Sequence, residues 1–381
     1  MISKRAEGIS SFIVMDILEK AKEMEAAGDH VIHLEVGEPD FAAPASAKAA
    51  VLDQLEAGET HYTHSLGKIE LRRAIADFYQ RKYGVNIEPE QVVVTSGTSP
   101  AMVMAFAAIL DPNDEIILPN PYYCCYPNFI KMFDGIPISV DVADKDGFKY
   151  NPAAVKAAIT GQTKAILVNS PANPTGAVYS GKEMRALAAL GALIISDEIY
   201  NGLIYDGEEH TMLEFTDNAI ILNGFSKLYA MTGFRLGYMI VPPALLRTVQ
   251  KLQQNFFICA GSFIQEAAVR VLSEEEAYVR RMVRTYDERR RFLLARLEKM
   301  GIAPLCAPQG AFYALANVKA YTKDSMAFAY EVLEKAKVAM SPGIEFGSNA
   351  EGYLRISYAN SLENIAEGMN RLEIFLRSAK R

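Results

Sequence analysis

The chain has 381 residues, half of them apolar and 22% charged, with a formal net charge of -7. That length suits a large domain with a smaller partner better than one small core, and the composition is ordinary for a soluble protein. The acidic balance argues against nucleic acid or an anionic membrane as the main partner.

The first residues, "MISKRAEGISSFIVMDILEKAKEME", lack an apolar stretch followed by a small-residue cleavage site. His30 and His33, then His61 and His64, form two H-x-x-H pairs. Neither has H-E-x-x-H or cysteine support, so loop or surface histidines are expected and no metal. The longest apolar run, "AMVMAFAAIL" at 101–110, is far short of a membrane span. Cysteines at 124, 125, 259 and 306 show no C-x-x-C spacing, which points to a reducing cytoplasm.

Short apolar runs alternate with helical patterns, the signature of an α/β fold with a mostly parallel sheet flanked by helices. The residues that follow four of these runs are polar in a chemically specific way. "QVVVT" leads into Ser96, Gly97, Thr98 and Ser99 and then a helix; "KAILV" into "NSPANPTG"; "ALIIS" into Asp197 and Glu198; "AIILN" into "GFSK" with Lys227. Ligands of open parallel sheets bind beyond the carboxyl ends of the strands. A strand, a tight small-residue turn and a helix start make an anion site. There is no G-x-x-x-x-G-K-[ST] and no G-x-G-x-x-G after a strand, so a single phosphate monoester fits better than a nucleotide.

Lys227 has no acidic neighbour in "ILNGFSKLYAMTGFRLGY", and Arg235 follows eight residues on. A lysine amine in apolar surroundings becomes a nucleophile that can form a Schiff base with an aldehyde. If that aldehyde carries a phosphate and a pyridine ring, it needs a phosphate cradle, a partner for the ring hydroxyl, an acid for the ring nitrogen and a lysine. The four strand ends supply these in order. Further on, "RRMVRTYDERRRFLLARLEK" from 280, with Val279 just before it, places Val279, Met282, Val283 and Tyr286 at helical spacing, a core stripe with a solvated basic face. In "YLRISY" the alternation puts Tyr353, Arg355 and Ser357 on one strand face, where a planar guanidinium suits a carboxylate or a structural ion pair.

From "LEVGEPDF" at 34 to "YLRISYANS" at 353, with "NSPANPTG", "SDEIY" and "FSKLYAMTGFRLGY" in this order, the sequence resembles the class I/II pyridoxal-phosphate-dependent aminotransferases of fold type I, the aspartate aminotransferase-like family. The resemblance implies a large domain at 45–290 with the mostly parallel central sheet, and a smaller α/β domain built from both termini. Residues 1–44 would join the small domain and 291–381 would complete it. It implies pyridoxal 5'-phosphate as cofactor, with Lys227 as the Schiff-base lysine and proton shuttle. Asp197 would pair with the ring nitrogen, and Tyr200 and Asn173 with the ring hydroxyl. Gly97, Thr98, Ser99, Ser226 and Arg235 would surround the phosphate. Tyr123 would stack on the ring, although Tyr122, Tyr123 and Tyr126 also suit a core. Arg355 would bind the substrate α-carboxylate, with Gly37 and Asn173 beside it. Tyr62 would reach phosphate in the neighbouring subunit, making a homodimer with shared sites.

One position departs from the family: where a serine phosphate ligand is usual, three residues before the lysine, stands Gly224. The resemblance implies transfer of an amino group from an amino acid to a 2-oxo acid, in the cytoplasm, without nucleic acid or membrane. A C–S β-lyase on the same scaffold is the alternative reaction, since one fold hosts many chemistries. A cofactor-sensing regulator would be expected to carry an added DNA-binding segment. A metal-dependent hydrolase and a nucleotide-binding dehydrogenase lack their motifs.

Overall fold

The computed structural model describes residues 2–379. A two-residue strand, β1 (Ile32–His33), precedes seven strands that form the main sheet: β2 (Val92–Thr95), β3 (Glu115–Asn120), β4 (Ile136–Asp141), β5 (Thr163–Asn169), β6 (Leu193–Asp197), β7 (Ala219–Gly224) and β8 (Gly237–Ile240). Four short strands follow: β9 (Tyr313–Asn317), β10 (Val338–Ala339), β11 (Ser341–Pro342) and β12 (Tyr353–Ser357).

The main sheet has the order β2-β8-β7-β6-β5-β3-β4. Its β3, β4, β5, β6 and β7 pair in parallel, and β8 lies antiparallel between β2 and β7. From β3 the chain steps outward to β4, then returns to β5 and builds the other way. The strand order therefore reverses between β3 and β5, and a crevice opens there at the carboxyl ends.

Why these runs are nearly continuously apolar is plain from their two faces. Ile194 and Ile221 belong to one buried cluster, while their neighbours Ile195 and Ile220 belong to a second on the opposite side. Helices cover both faces, as a parallel sheet requires. Local signals set the crossovers. The helix between β5 and β6, Gly181–Ala188, starts in a capping box in which Ser180 and Glu183 satisfy each other's backbone N–H groups.

Helix Glu276–Met300 runs unbroken through residue 290 and stops at Gly301, whose φ is +72°. Met282 and Tyr286 are buried on its inner stripe, and Val279 and Val283 pack partly against the core. Beyond it, β9, β12 and β11 make an antiparallel sheet, and β1 pairs in parallel with β10. Residues near 32 thus pack with the C-terminal elements. Among the described residues, no helix is long and apolar enough to cross a membrane.

Candidate active site

The carboxyl ends of β5, β6 and β7 converge on a cavity of about 260 Å³. The stereochemistry begins with Asn169, the last residue of β5, which is paired with Asp197 at the end of β6. Asn169 donates through Nδ2 to the Asp197 carbonyl at 2.9 Å and accepts the Asn173 N–H at 2.8 Å. One amide therefore locks two of the loops that enter the cavity.

Lys227, half-buried, projects into this cavity from the turn after β7. Its Nζ donates to the Gly37 carbonyl at 2.6 Å. Burial is the main cause that brings its pKa down to about 8; Arg355 and Arg235 push the same way, against Glu38 and Asp197. Asp197 is 3% exposed. Burial raises its pKa to about 6, while hydrogen bonds from Tyr126 and the Ile199 N–H and the Lys227 charge pull it down.

Arg355 lies on β12, 3% exposed, with its guanidinium between the rings of Tyr313 at 4.5 Å and Phe346 at 4.7 Å. Nη1 donates to Asn173 Oδ1 at 3.1 Å; Nη2 donates to the Glu35 carbonyl and, at 3.1 Å, to Ser341 Oγ. Its buried Nε has no partner. Arg235 stands at φ +51° and donates to the Thr232 carbonyl at 2.9 Å. Among the described residues, none of Lys227, Arg235 and Arg355 is ion-paired to a carboxylate, so the cavity lining sets three cationic side chains against the carboxylate of Asp197, with Glu38 acting on Lys227 from outside the lining. That charge balance suits a phosphate and a carboxylate together.

A phosphorylated pyridine aldehyde fits these residues. Gly97, at φ +102°, leaves room for Arg235: a Cβ there would lie 2.6 Å from Arg235 Nη2. Thr98 and Ser99 open the helix Thr98–Ile109 and line the cavity with Ser226. Their free N–H groups, their hydroxyls and Arg235 form an anion cradle. Gly37 admits the Tyr313 hydroxyl, which would lie 2.0 Å from a Cβ; that hydroxyl is in turn 2.8 Å from the Tyr200 hydroxyl.

Of the residues singled out from sequence, Gly37, Thr98, Ser99, Tyr123, Asn173, Asp197, Tyr200, Ser226, Lys227, Arg235 and Arg355 line the cavity, and Gly97 adjoins Arg235. Tyr62 does not; it is 80% exposed. Gly224 also stays outside. It faces Gly237 across β7 and β8, and a Cβ would come within 2.9 Å of the Gly237 Cα. Sequence reasoning missed Asn169, Tyr313 and the apolar wall of Phe12, Val14 and Met15. Tyr126 was only a core candidate. A polar residue ending an apolar strand was a usable signal for Asn169; Phe12 had none.

The chain matches the family model "Aminotransferase class I and II" over residues 29–372. It is 41% identical over 380 residues to the (5-formylfuran-3-yl)methyl phosphate transaminase of Methanocaldococcus jannaschii, covering 99% of this chain and 100% of that protein. Identity to an aspartate aminotransferase of Pyrococcus horikoshii is 36% over 387 residues, 100% of this chain and 98% of that one. The solved structure of a Thermus thermophilus aspartate aminotransferase with maleate superposes at a TM-score of 0.94 with 35% identity, covering 98% of this chain and 99% of that chain.

Proposed function

We propose that this chain, which belongs to the class I and II aminotransferases and moves an amino group from an amino acid to a 2-oxo acid, does so with pyridoxal 5'-phosphate held at Lys227. The amine of Lys227 carries this reading. It sits in a cavity, lowered to a pKa of about 8 and hydrogen-bonded to a carbonyl where a structural lysine would have a carboxylate. An amine so placed has a usable neutral fraction near pH 7 and is a nucleophile and a base.

When bound, the cofactor would supply an aldehyde and an electron-withdrawing ring that makes the Cα–H of the amino acid acidic. Lys227 would then take the proton from the substrate Cα and return it to the former aldehyde carbon, on the far side of the substrate nitrogen, from its place in the cavity lining with Asp197 and Tyr200. Asp197 would hold a proton at the ring nitrogen. Asn173 and Tyr200 would hold the ring oxygen, and Tyr123 would pack against the ring. Thr98, Ser99, Ser226 and Arg235, with Gly97 leaving the space, would hold phosphate. Arg355 fixes the substrate carboxylate with a guanidinium already oriented by Asn173, Ser341 and two rings, so little ordering remains to be done on binding.

The same reading makes residues 45–290 the cofactor domain, with 1–44 and 291–381 forming the smaller one. Tyr62, exposed on its own chain together with Leu52, Leu55 and Phe256, would serve the site of a second copy in a homodimer. Four unpaired cysteines suit a reducing cytoplasm. The test is borohydride reduction of the loaded protein followed by peptide mass analysis. One reduced pyridoxyl phosphate is expected on the peptide containing Lys227 and on none in Lys227→Ala. Label fixed at another lysine, or no label, would overturn the assignment.

A further inference from the structure

The tyrosine three residues after Tyr123 has a partner that composition alone did not suggest. Tyr126 opens the helix Tyr126–Met132 and is fully buried. Its ring stands edge-on to Tyr123, with centroids 5.3 Å apart at 80°. Its hydroxyl donates to Asp197 Oδ2 at 2.6 Å, across 71 residues of chain. The other carboxylate oxygen, Oδ1, accepts the Ile199 N–H at 3.2 Å. A buried tyrosine hydroxyl needs a partner, and this one takes the carboxylate that, among the described residues, alone lines the cavity.

We propose that Tyr126 is a positioning residue for transamination: its O–H keeps Asp197 ionised and pins Oδ2, leaving the carboxylate oriented for a protonated ring nitrogen. The part concerning the ring rests on the proposed function; the bond to Asp197 does not. Around Asp197 stand Lys227 after β7, Tyr123 and Tyr126 after β3, and Tyr200 after β6. Glu198, next in the chain, is engaged elsewhere, accepting from Ser196, Thr211 and the Met212 N–H.

The direction follows from opposed effects on one carboxyl. Burial favours the neutral acid, and a neutral acid neither attracts nor retains a ring N–H⁺ charge. Hydrogen bonds donated to the anion oppose this. Asp197, balanced at about 6, is mostly ionised at neutral pH. Removing a charge-assisted bond shifts such a group by about 1 to 2 pKa units, which carries it through neutrality.

The experiment reads Asp197 itself. In cofactor-free protein carrying ¹³C-labelled aspartate carboxyls, with Asp197→Asn to identify the signal, Tyr126→Phe should raise the Asp197 titration by about 1 to 2 units. Tyr126→3-fluorotyrosine, of nearly the same shape and a stronger donor, should move it down, so a failure of the Phe variant to fold leaves the proposal testable. In loaded Tyr126→Phe, cofactor retention should weaken most between pH 6 and about 8 and recover above, as Asp197 ionises again. The fall should lie in kcat, with KM little changed. An unchanged Asp197 titration, even with a lowered melting temperature, would overturn the proposal and reduce Tyr126 to core filling. A shifted titration in a protein that takes up no pyridoxal phosphate would overturn the cofactor reading and the positioning role with it, while leaving the bond in place.

Discussion

Replacing Arg355 by lysine keeps a positive charge in the cavity and removes the planar fork. In the native chain the guanidinium is held by Asn173 Oδ1 and Ser341 Oγ, each at 3.1 Å, and sandwiched between Tyr313 and Phe346. A lysine ammonium has one nitrogen. It can satisfy these partners or meet a substrate carboxylate, and it cannot present two parallel N–H donors. The loss is about one charge-assisted hydrogen bond, roughly 1.5–3 kcal/mol. At 1.4 kcal/mol per decade, kcat/KM for an amino acid should fall about ten- to hundredfold in Arg355→Lys. Arg355→Met, similar in length and uncharged, should fall further.

The assay is steady-state transamination with a good amino acid, set beside an amine donor that has no carboxylate. The amine reports the cofactor and the proton transfer without the Arg355 contact, so its rate should hardly move. Melting temperature of the loaded protein checks that the buried substitution leaves the fold intact. An amino-acid kcat/KM within about threefold of the native chain would refute carboxylate recognition by Arg355. An equal fall for both donors would refute it too, and point to a damaged site.

Three other outcomes are expected. Asp197→Ala should keep its fold at reduced stability, since losing the cap-like bond to the Ile199 N–H costs about 1 kcal/mol and leaving the buried Tyr126 hydroxyl unpaired about 1–3 kcal/mol, yet lose on the order of 10²–10³ in kcat; a lowered melting temperature with near-normal kcat would reduce Asp197 to a structural anchor. Lys227→Ala and Tyr62→Ala, each impaired alone, should regain partial activity when subunits exchange, and verified heterodimers with no gain would remove Tyr62 from the partner's site. Burial lifts Glu198 from 4.5 to about 8. With the folded pKa above the unfolded one, its contribution is full below about 4.5 and is lost as pH rises through about 8. Glu198→Gln should therefore gain melting temperature relative to the native chain across that window, and a pH-independent difference would count against a buried neutral Glu198.

The sequence by itself determined which polar side chains stand at the strand ends. Parallel strands must be apolar on both faces, so β5, β6 and β7 announce themselves, and a polar residue just past each one has to lie at the crevice. Asp197 and Lys227 were legible for that reason, and Asn173 with them. Arg355 was legible as an alternation within a strand, but its setting was not. The rings of Tyr313 and Phe346 reach it from separate segments. Tertiary structure alone decided which tyrosine meets Asp197, because Tyr123 and Tyr126 look alike in sequence and only the helix Tyr126–Met132 turns the second hydroxyl onto Oδ2. It also brought Phe12, Val14 and Met15 to the wall, with Glu345 Oε1 accepting the Val14 N–H at 3.1 Å across 331 residues. Local pattern encodes what one strand or helix buries. Contacts between distant segments depend on where the sheet reverses and how the termini pack together, and no local period records either.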